Sequence, residues 1–381
     1  MKSSAFWRAA VLFIGLATGF VGPATAWKLM PEATAAERGF AAVRASWLRN
    51  LVNKGAFKAV AVVGDPVHEG ITERALKCPQ PGEGDVFPGC KFDIRYELAG
   101  VRWNDDPAIL FKPEYGRHFG CKPGETVRMV TQPVCWVNVF LGGEAAARGG
   151  KRFDGTNSNL LLRSHFGDLQ FLHAMAAADG EAPTQTRAKV LAWLEFTWRT
   201  AIGEKGFDAQ RVVAKLPISG FSQRFKSNRG WRIQDLFALG NEMARSPDAI
   251  QSIAFGSLMH VVQDSFAAGH VDRAVPQAGS FCANRMGWPA PGPIVEFHSY
   301  PHQDSSKHGH DDAPAALEAH IAMAPNVIDV MRTLNDLWRA GAPWDEVLLY
   351  LDCVFALAPD ARPSSPGKAY FMPGDNVQWG G

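Results

Sequence analysis

His260, Asp264 and His270 form an H-x3-D-x5-H pattern within the stretch LMHVVQDSFAAGH. His260 and Asp264 are four residues apart, so on a helix both project from one face, one turn apart. Gly269 can end that helix and turn His270 back toward them. Two imidazoles around one carboxylate suit a borderline metal such as zinc, and a shared carboxylate can bridge two ions. A lone Asp–His pair that merely caps or crosses a helix would look the same, so the weight falls on further donors. His308 and Asp312 repeat the H-x3-D spacing in KHGHDDAPAALE, where Asp311 or Asp312 would also serve as a plain helix cap. His298, His302 and His310 compete with them, and His298-x3-His302 is itself a chelating spacing.

His68 stands just after Asp65-Pro66, a cap and first-turn pair that starts a helix. Trp103-Asn104-Asp105-Asp106-Pro107 sets two acids ahead of a proline, a place where aspartate is also an ordinary turn residue. His165 lies at the polar end of RSHFGDLQFLHAM beside Ser164 and Asp168. His173, among Leu and Met, reads as a hydrogen-bonded core histidine, and His118, in a cysteine-rich loop, as structural or surface.

The elements that must position these residues are mostly helical. Glu32 to Asn53 carries an apolar stripe, and a second helix runs from Pro66 to near Cys78. Residues 79–157, rich in Gly, Pro and Cys, read as a long irregular region with short strands around YELAGVRW and WVNVFLGG. From Ser158 the three- and four-residue apolar spacing predicts helices over LLLRSHFGDLQFLHAMAAADG and TQTRAKVLAWLEFTWRTAIGEKG, then a shorter one over GWRIQDLFALGNEMA. Ser246-Pro247-Asp248 starts the helix that bears the opening motif. Residues 271–312 form a second long irregular stretch, and long loops of this kind are usually functional or disordered. Two helices close the fold, AALEAHIAMAPNVIDVMRTLNDLWRAG and PWDEVLLYLDCVFAL, with Gly341 stopping the first.

Lys2, Arg8, the apolar run Val11 to Val21 and the Ala24-Thr25-Ala26 box read as a secretory signal over residues 1–26. That apolar run is too short and Gly-rich for a membrane span, and no other segment is apolar enough for one. The mature chain, 27–381, is expected to be a single domain that is secreted or periplasmic. Six cysteines in an exported chain fit three disulfides, with near-neighbour economy favouring Cys78–Cys90, Cys121–Cys135 and Cys282–Cys353. A net charge of +1 argues against a strongly basic nucleic-acid binder. No G-x-S-x-G elbow, P-loop or G-x-G-x-x-G supports a serine hydrolase or nucleotide-binding fold.

Together these residues resemble the zinc-dependent phospholipase C family, which is similar in fold to the single-strand-specific zinc nucleases. Signal cleavage would expose Trp27 as the first mature residue. His260, Asp264 and His270 resemble the family's H-x3-D-x5-H, and Ser164-His165-Phe166 with Asp168 its S-H-F-x-D segment. Trp103-x-Asp105, His308-x3-Asp312 and His68 in HEGIT resemble its remaining ligand motifs. The gaps from Trp27 to His68, Asp105 to His165 and His270 to His308 are longer than usual, which keeps His118, His298 and His302 in contention.

The resemblance implies a mainly α, multi-helix phospholipase C/nuclease-type domain with two long loop insertions. It implies three zinc ions: one on Trp27, His68 and Asp264, one on Asp105, His165, His260 and Asp264, and one on His270, His308 and Asp312. Asp105 and Asp264 would be the catalytic carboxylates, Asp264 bridging two ions and Asp105 orienting or deprotonating the attacking water. The implied activity is a secreted metallo-phosphodiesterase, a phospholipase C that releases diacylglycerol and a phosphorylated headgroup through zinc-activated water. Its partner would be phospholipid, met at the membrane surface in passing. The first alternative is a zinc-dependent single-strand nuclease and 3′-nucleotidase, the only reading with nucleic acid as partner. The second is a non-catalytic periplasmic zinc-binding protein.

Overall fold

A computed structural model describes residues 67–76, 94–111, 116, 119–228, 230–283, 285, 287–304, 307–308 and 313–372. The signal segment, Trp27, the helix expected over Glu32 to Asn53, Cys78, Cys90, His118, His310 and Asp312 lie outside the described residues. In chain order the helices are α1 (Val67–Ala75), α2 (Arg95–Trp103), α3 (Pro133–Arg148), α4 (Leu160–Phe166), α5 (Pro183–Ala201) and α6 (Phe221–Arg224). They continue with α7 (Ile233–Ala238), α8 (Pro247–Asp264), α9 (Pro314–Ile321), α10 (Val327–Arg339) and α11 (Trp344–Val354). One short antiparallel hairpin, β1 (Val271–Arg273) with β2 (Ile294–Phe297), is the only named sheet among the described residues. The fold is mainly α.

Helix α8 is the axis. Ser246 caps it by accepting from the Ala249 amide at 3.3 Å, and Pro247 opens its first turn. From Phe255 to Asp264 every residue is buried, so this helix is surrounded rather than amphipathic. It packs on α2 and α5 and also meets α1, α7, α10 and the 3-10 turn Gln170–His173. The α2–α8 crossing is glycine on glycine. A Cβ on Gly100 would collide with the Ile253 carbonyl, and one on Gly256 with the Glu97 carbonyl. Close to this crossing, Ser257 Oγ donates to Asn104 Oδ1 at 2.7 Å, and Asn104 Nδ2 donates to the Leu172 carbonyl at 2.7 Å. One asparagine therefore ties the end of α2 to α8 and to the turn that carries His173. Beside it, Trp103 stacks on Trp193 at 5.7 Å, within an aromatic layer that includes Phe196, Phe221 and Phe237.

Several sequence expectations are corrected here. YELAGVRW and WVNVFLGG lie in helices α2 and α3, not in strands, and much of the region expected to be irregular is helical. Within those helices Gly100 serves close backbone approach, and Gly143 faces the Leu162 side chain. The segment from Leu160 is also broken: α4 ends at Phe166, Gly167 is extended, and Gln170–His173 is a 3-10 turn. The long helix expected before Gly341 is likewise two, because Pro325 interrupts it and Asn326 caps α10 through the Ile328 amide at 2.9 Å. Gly341, at φ 65°, stops α10 as expected.

Cys121–Cys135 and Cys282–Cys353 are disulfides, the second pinning the loop after β1 to α11. No described helix is long and apolar enough to cross a membrane.

Candidate metal centre

The donors of the site come from five separate segments. His68 rides on α1, Asp105 lies just past α2, His165 near the end of α4, and His260 and Asp264 on the last turns of α8. His270 follows α8 through the Gly269 turn. Asp264 is the meeting point. Its Oδ2 lies 2.9 Å from His260 Nε2, 2.9 Å from His173 Nδ1 and 3.7 Å from His270 Nδ1, while its Oδ1 lies 3.3 Å from His68 Nε2. Asp105 completes the ring: Oδ1 is 3.6 Å from His165 Nε2 and 3.7 Å from His173 Nδ1, and Oδ2 is 3.8 Å from His260 Nε2. His308 lies next to His270, ring centres 4.9 Å apart.

The outer face of each ring is held. His260 Nδ1 donates to the Val101 carbonyl at 2.6 Å, His165 Nδ1 to the Leu161 carbonyl at 2.9 Å, and His270 Nδ1 to the His173 carbonyl at 2.6 Å. His68 Nδ1 and His308 Nδ1 donate to the Gln263 and Gln303 amide oxygens, each at 2.6 Å. With the proton fixed on Nδ1, each neutral ring offers the lone pair of Nε2, the arrangement seen when histidines bind a metal.

Several atoms turned inward have no hydrogen-bond partner: both oxygens of Asp105, Oδ1 of Asp264, and Nε2 of His165 and His270. All are buried, and an orphaned buried acceptor costs about 1–3 kcal/mol. The donor set fits a divalent cation of the zinc type, which takes imidazole nitrogen and carboxylate oxygen together. Three overlapping groups could hold one: His68 with Asp105 and His260, Asp105 with His165 and His173, and His173 with His260 and Asp264.

Electrostatics point the same way. Burial alone would raise the Asp105 carboxyl, but His260, His165 and His173 outweigh it and hold it down to about 2. Asp264 is likewise pulled well below the usual carboxylate range against its burial, by His260, His270 and His68. Burial lowers His270 to about 4. His68 goes the other way: burial would lower it, yet the Asp264 charge prevails and lifts it to about 9. A proton on His68 there offsets part of the negative charge that a cation would neutralise.

Of the residues expected from the sequence, His68, Asp105, His165, His260, Asp264 and His270 converge, and His308 sits on the flank of His270. Trp27 and Asp312 lie outside the described residues, so the ion sites expected from them lack one donor each in this description. His173, expected to be an ordinary core histidine, instead lies between the two carboxylates. Its apolar sequence neighbours hid it; the one available signal was its place eight residues beyond His165 in a segment already carrying a donor. His302 is half exposed and pairs with Asp179 at 2.8 Å, away from the centre. His298 joins Asp272 and Glu296 on the hairpin in a further group of metal-binding residue types. Arg362 already pairs with both of those carboxylates and Ser365 donates to Glu296, so that group is a braced polar network. His298 Nδ1 there reaches the Gly269 carbonyl at 3.1 Å.

Searches against protein-family models, curated proteins and solved structures found no match to this chain.

Proposed function

We propose that the protein is an exported, zinc-dependent phosphodiesterase of the phospholipase C type, holding three ions and acting on glycerophospholipids. The observation that carries this reading is the inward-facing donor ring around Asp105 and Asp264. Two disulfides among the described residues favour an oxidising, secreted or periplasmic setting.

When bound, such ions neutralise phosphoryl oxygens and bring the pKa of water toward neutrality. His68, His165, His260, His270 and His308 with Asp105 and Asp264 would hold them, Trp27 and Asp312 supplying the remaining donors. Asp264 lies against four imidazoles and would be placed to share its carboxylate between ions. Asp105, ionised down to about pH 2, accepts a hydrogen bond at neutral pH, and its role is to orient the attacking water. The water oxygen bonds to phosphorus, the phosphorus–oxygen bond to glycerol breaks, and the proton leaves with diacylglycerol.

His165 is the most exposed donor of the ring, at 8%. Phe140, Phe166 and Tyr300 gather around it, with Phe140 and Tyr300 each about 5 Å from a ring partner, and all three are buried.

One preparation of the full mature protein tests this. It is assayed on phosphatidylcholine vesicles, phosphatidylglycerol vesicles and single-stranded DNA, before and after exhaustive chelation and after adding zinc back. Lipid hydrolysis that chelation abolishes and zinc restores is expected. Activity that survives chelation sinks the metal reading, and cleavage of DNA alone moves the assignment to the nuclease.

A further inference from the structure

We propose that His173 is a direct metal ligand, giving the central ion five protein donors: Asp105, His165, His173, His260 and Asp264. This rests on the metal reading above and goes beyond it, since the motif resemblance supplies only four of those donors.

The geometry around His173 is hard to account for as hydrogen bonding alone. His260 Nδ1 donates to the Val101 carbonyl, so in the neutral ring Nε2 of His260 carries a lone pair. His173 Nδ1 faces that lone pair at 3.1 Å and Asp264 Oδ2 at 2.9 Å. A single N–H would have to serve both. A cation among the three atoms gives each lone pair a common partner. Bonds of about 2.0–2.2 Å to such an ion place neighbouring donors about 2.9 Å apart at right angles and about 3.4 Å apart at tetrahedral angles. The contacts among His173, His260 and Asp264 lie at the short end of that range, and those from Asp105 to His165, His173 and His260, at 3.6–3.8 Å, are wider. That mixture of close and wide separations, as at the right-angle and about 120° spacings of a five-coordinate ion, fits more than four donors.

The backbone beside the ring is constrained. Ala174, next in the chain, has φ 52°, the one described non-glycine residue in the left-handed region. Such conformations cost about 1–3 kcal/mol and persist where the surroundings enforce them. Here the Asn104 amide holds the Leu172 carbonyl, and His270 Nδ1 holds the carbonyl of His173 itself. With five protein donors, such an ion would have little room left for substrate.

The test uses the full mature protein with zinc, then cobalt(II), as probes. His173→Ala and His173→Gln are compared with the unaltered chain by metal count, by competition with a chelator, and by the visible band of the cobalt form. Glutamine keeps an N–H for Asp264 but presents no imidazole, so it separates a ligand from a hydrogen-bond donor and guards against misfolding of the alanine variant. Both variants are expected to bind one ion at least about 100-fold more weakly, beyond the 10–100-fold typical of an outer-shell partner. Their cobalt band should change in intensity as the coordination number falls. Unchanged affinity and band in His173→Gln would overturn the proposal while leaving the metal centre standing. An unaltered protein that takes up no metal would bring down both readings.

Discussion

Gln303 carries His308: its amide oxygen accepts from His308 Nδ1 at 2.6 Å, while its amide nitrogen reaches the carbonyls of Gly269 and Pro366, each at 2.7 Å. One fully buried amide therefore sets the tautomer of His308 and pins the turn that delivers His270. Gln263 plays the same part for His68, with its amide nitrogen on Thr72 Oγ1 at 2.8 Å. Neither glutamine is a ligand. Gln303→Leu is expected to weaken metal binding on the His270 side by about 10–100-fold. Chelator competition measures it, and an unchanged affinity would remove the positioning role.

Asp264→Asn keeps the shape of the side chain and removes the charge that four imidazoles share. In the metal-free protein His68, at about 9, is protonated at pH 8, its charge sustained against burial chiefly by Asp264. A base whose folded pKa is raised adds stability that is complete below the unfolded value of 6.5 and fades as pH rises through about 9. The asparagine variant is expected to lose this contribution, and His68 should become neutral at pH 8. Imidazole NMR titration of both metal-free proteins checks it, and a His68 still charged in the variant would contradict the assignment.

Glu73, on α1 beyond His68, is raised to about 8 by burial and by the neighbouring charge of Glu69. Here the sign reverses. The unfolded carboxyl ionises near 4.5 while the folded one stays protonated, so folding is progressively penalised as pH rises from about 4.5 to about 8. Glu73→Gln should therefore raise the melting temperature at pH 8 and leave it nearly unchanged at pH 4. Thermal unfolding at the two pH values measures this, and an equal shift at both would exclude the titration as its cause.

Gly256→Ala tests the helix crossing. Its methyl group would meet the Glu97 carbonyl, so α2 and α8 must separate. Overpacking of this kind costs about 1–3 kcal/mol. Moving α2 also moves Asp105 away from His260, so weaker metal binding should accompany the lower unfolding midpoint. A variant that loses stability yet keeps its affinity would show that the crossing does not set the site.

The helices with strong caps were readable from sequence: Ser246-Pro247-Asp248 announced α8, and the two described disulfides follow the near-neighbour pairing. The six residues that converge were picked out by the spacing of His260, Asp264 and His270 and, for His68, Asp105 and His165, by short motifs that resemble those of a known family. What sequence hid was tertiary. Gly100 sits in a segment that reads as strand, since glycine weakens a helix, and only the presence of α8 against it explains its place in α2. His173 looked like core because its neighbours are apolar; that its Nδ1 meets Asp264, 91 residues further along the chain, no local pattern announces.

The Gly100–Gly256 crossing has a consequence for how this protein can change over time. The gap between the ends of α2 and α8 is set there by main chain against main chain, not by the size of any side chain. Leucines, valines and tryptophans around it are then free to exchange for others of similar bulk while Asp105 stays in register with His260. A centre gauged in this way can outlast drift in the side chains around it, its donors keeping their places while the packing about them changes.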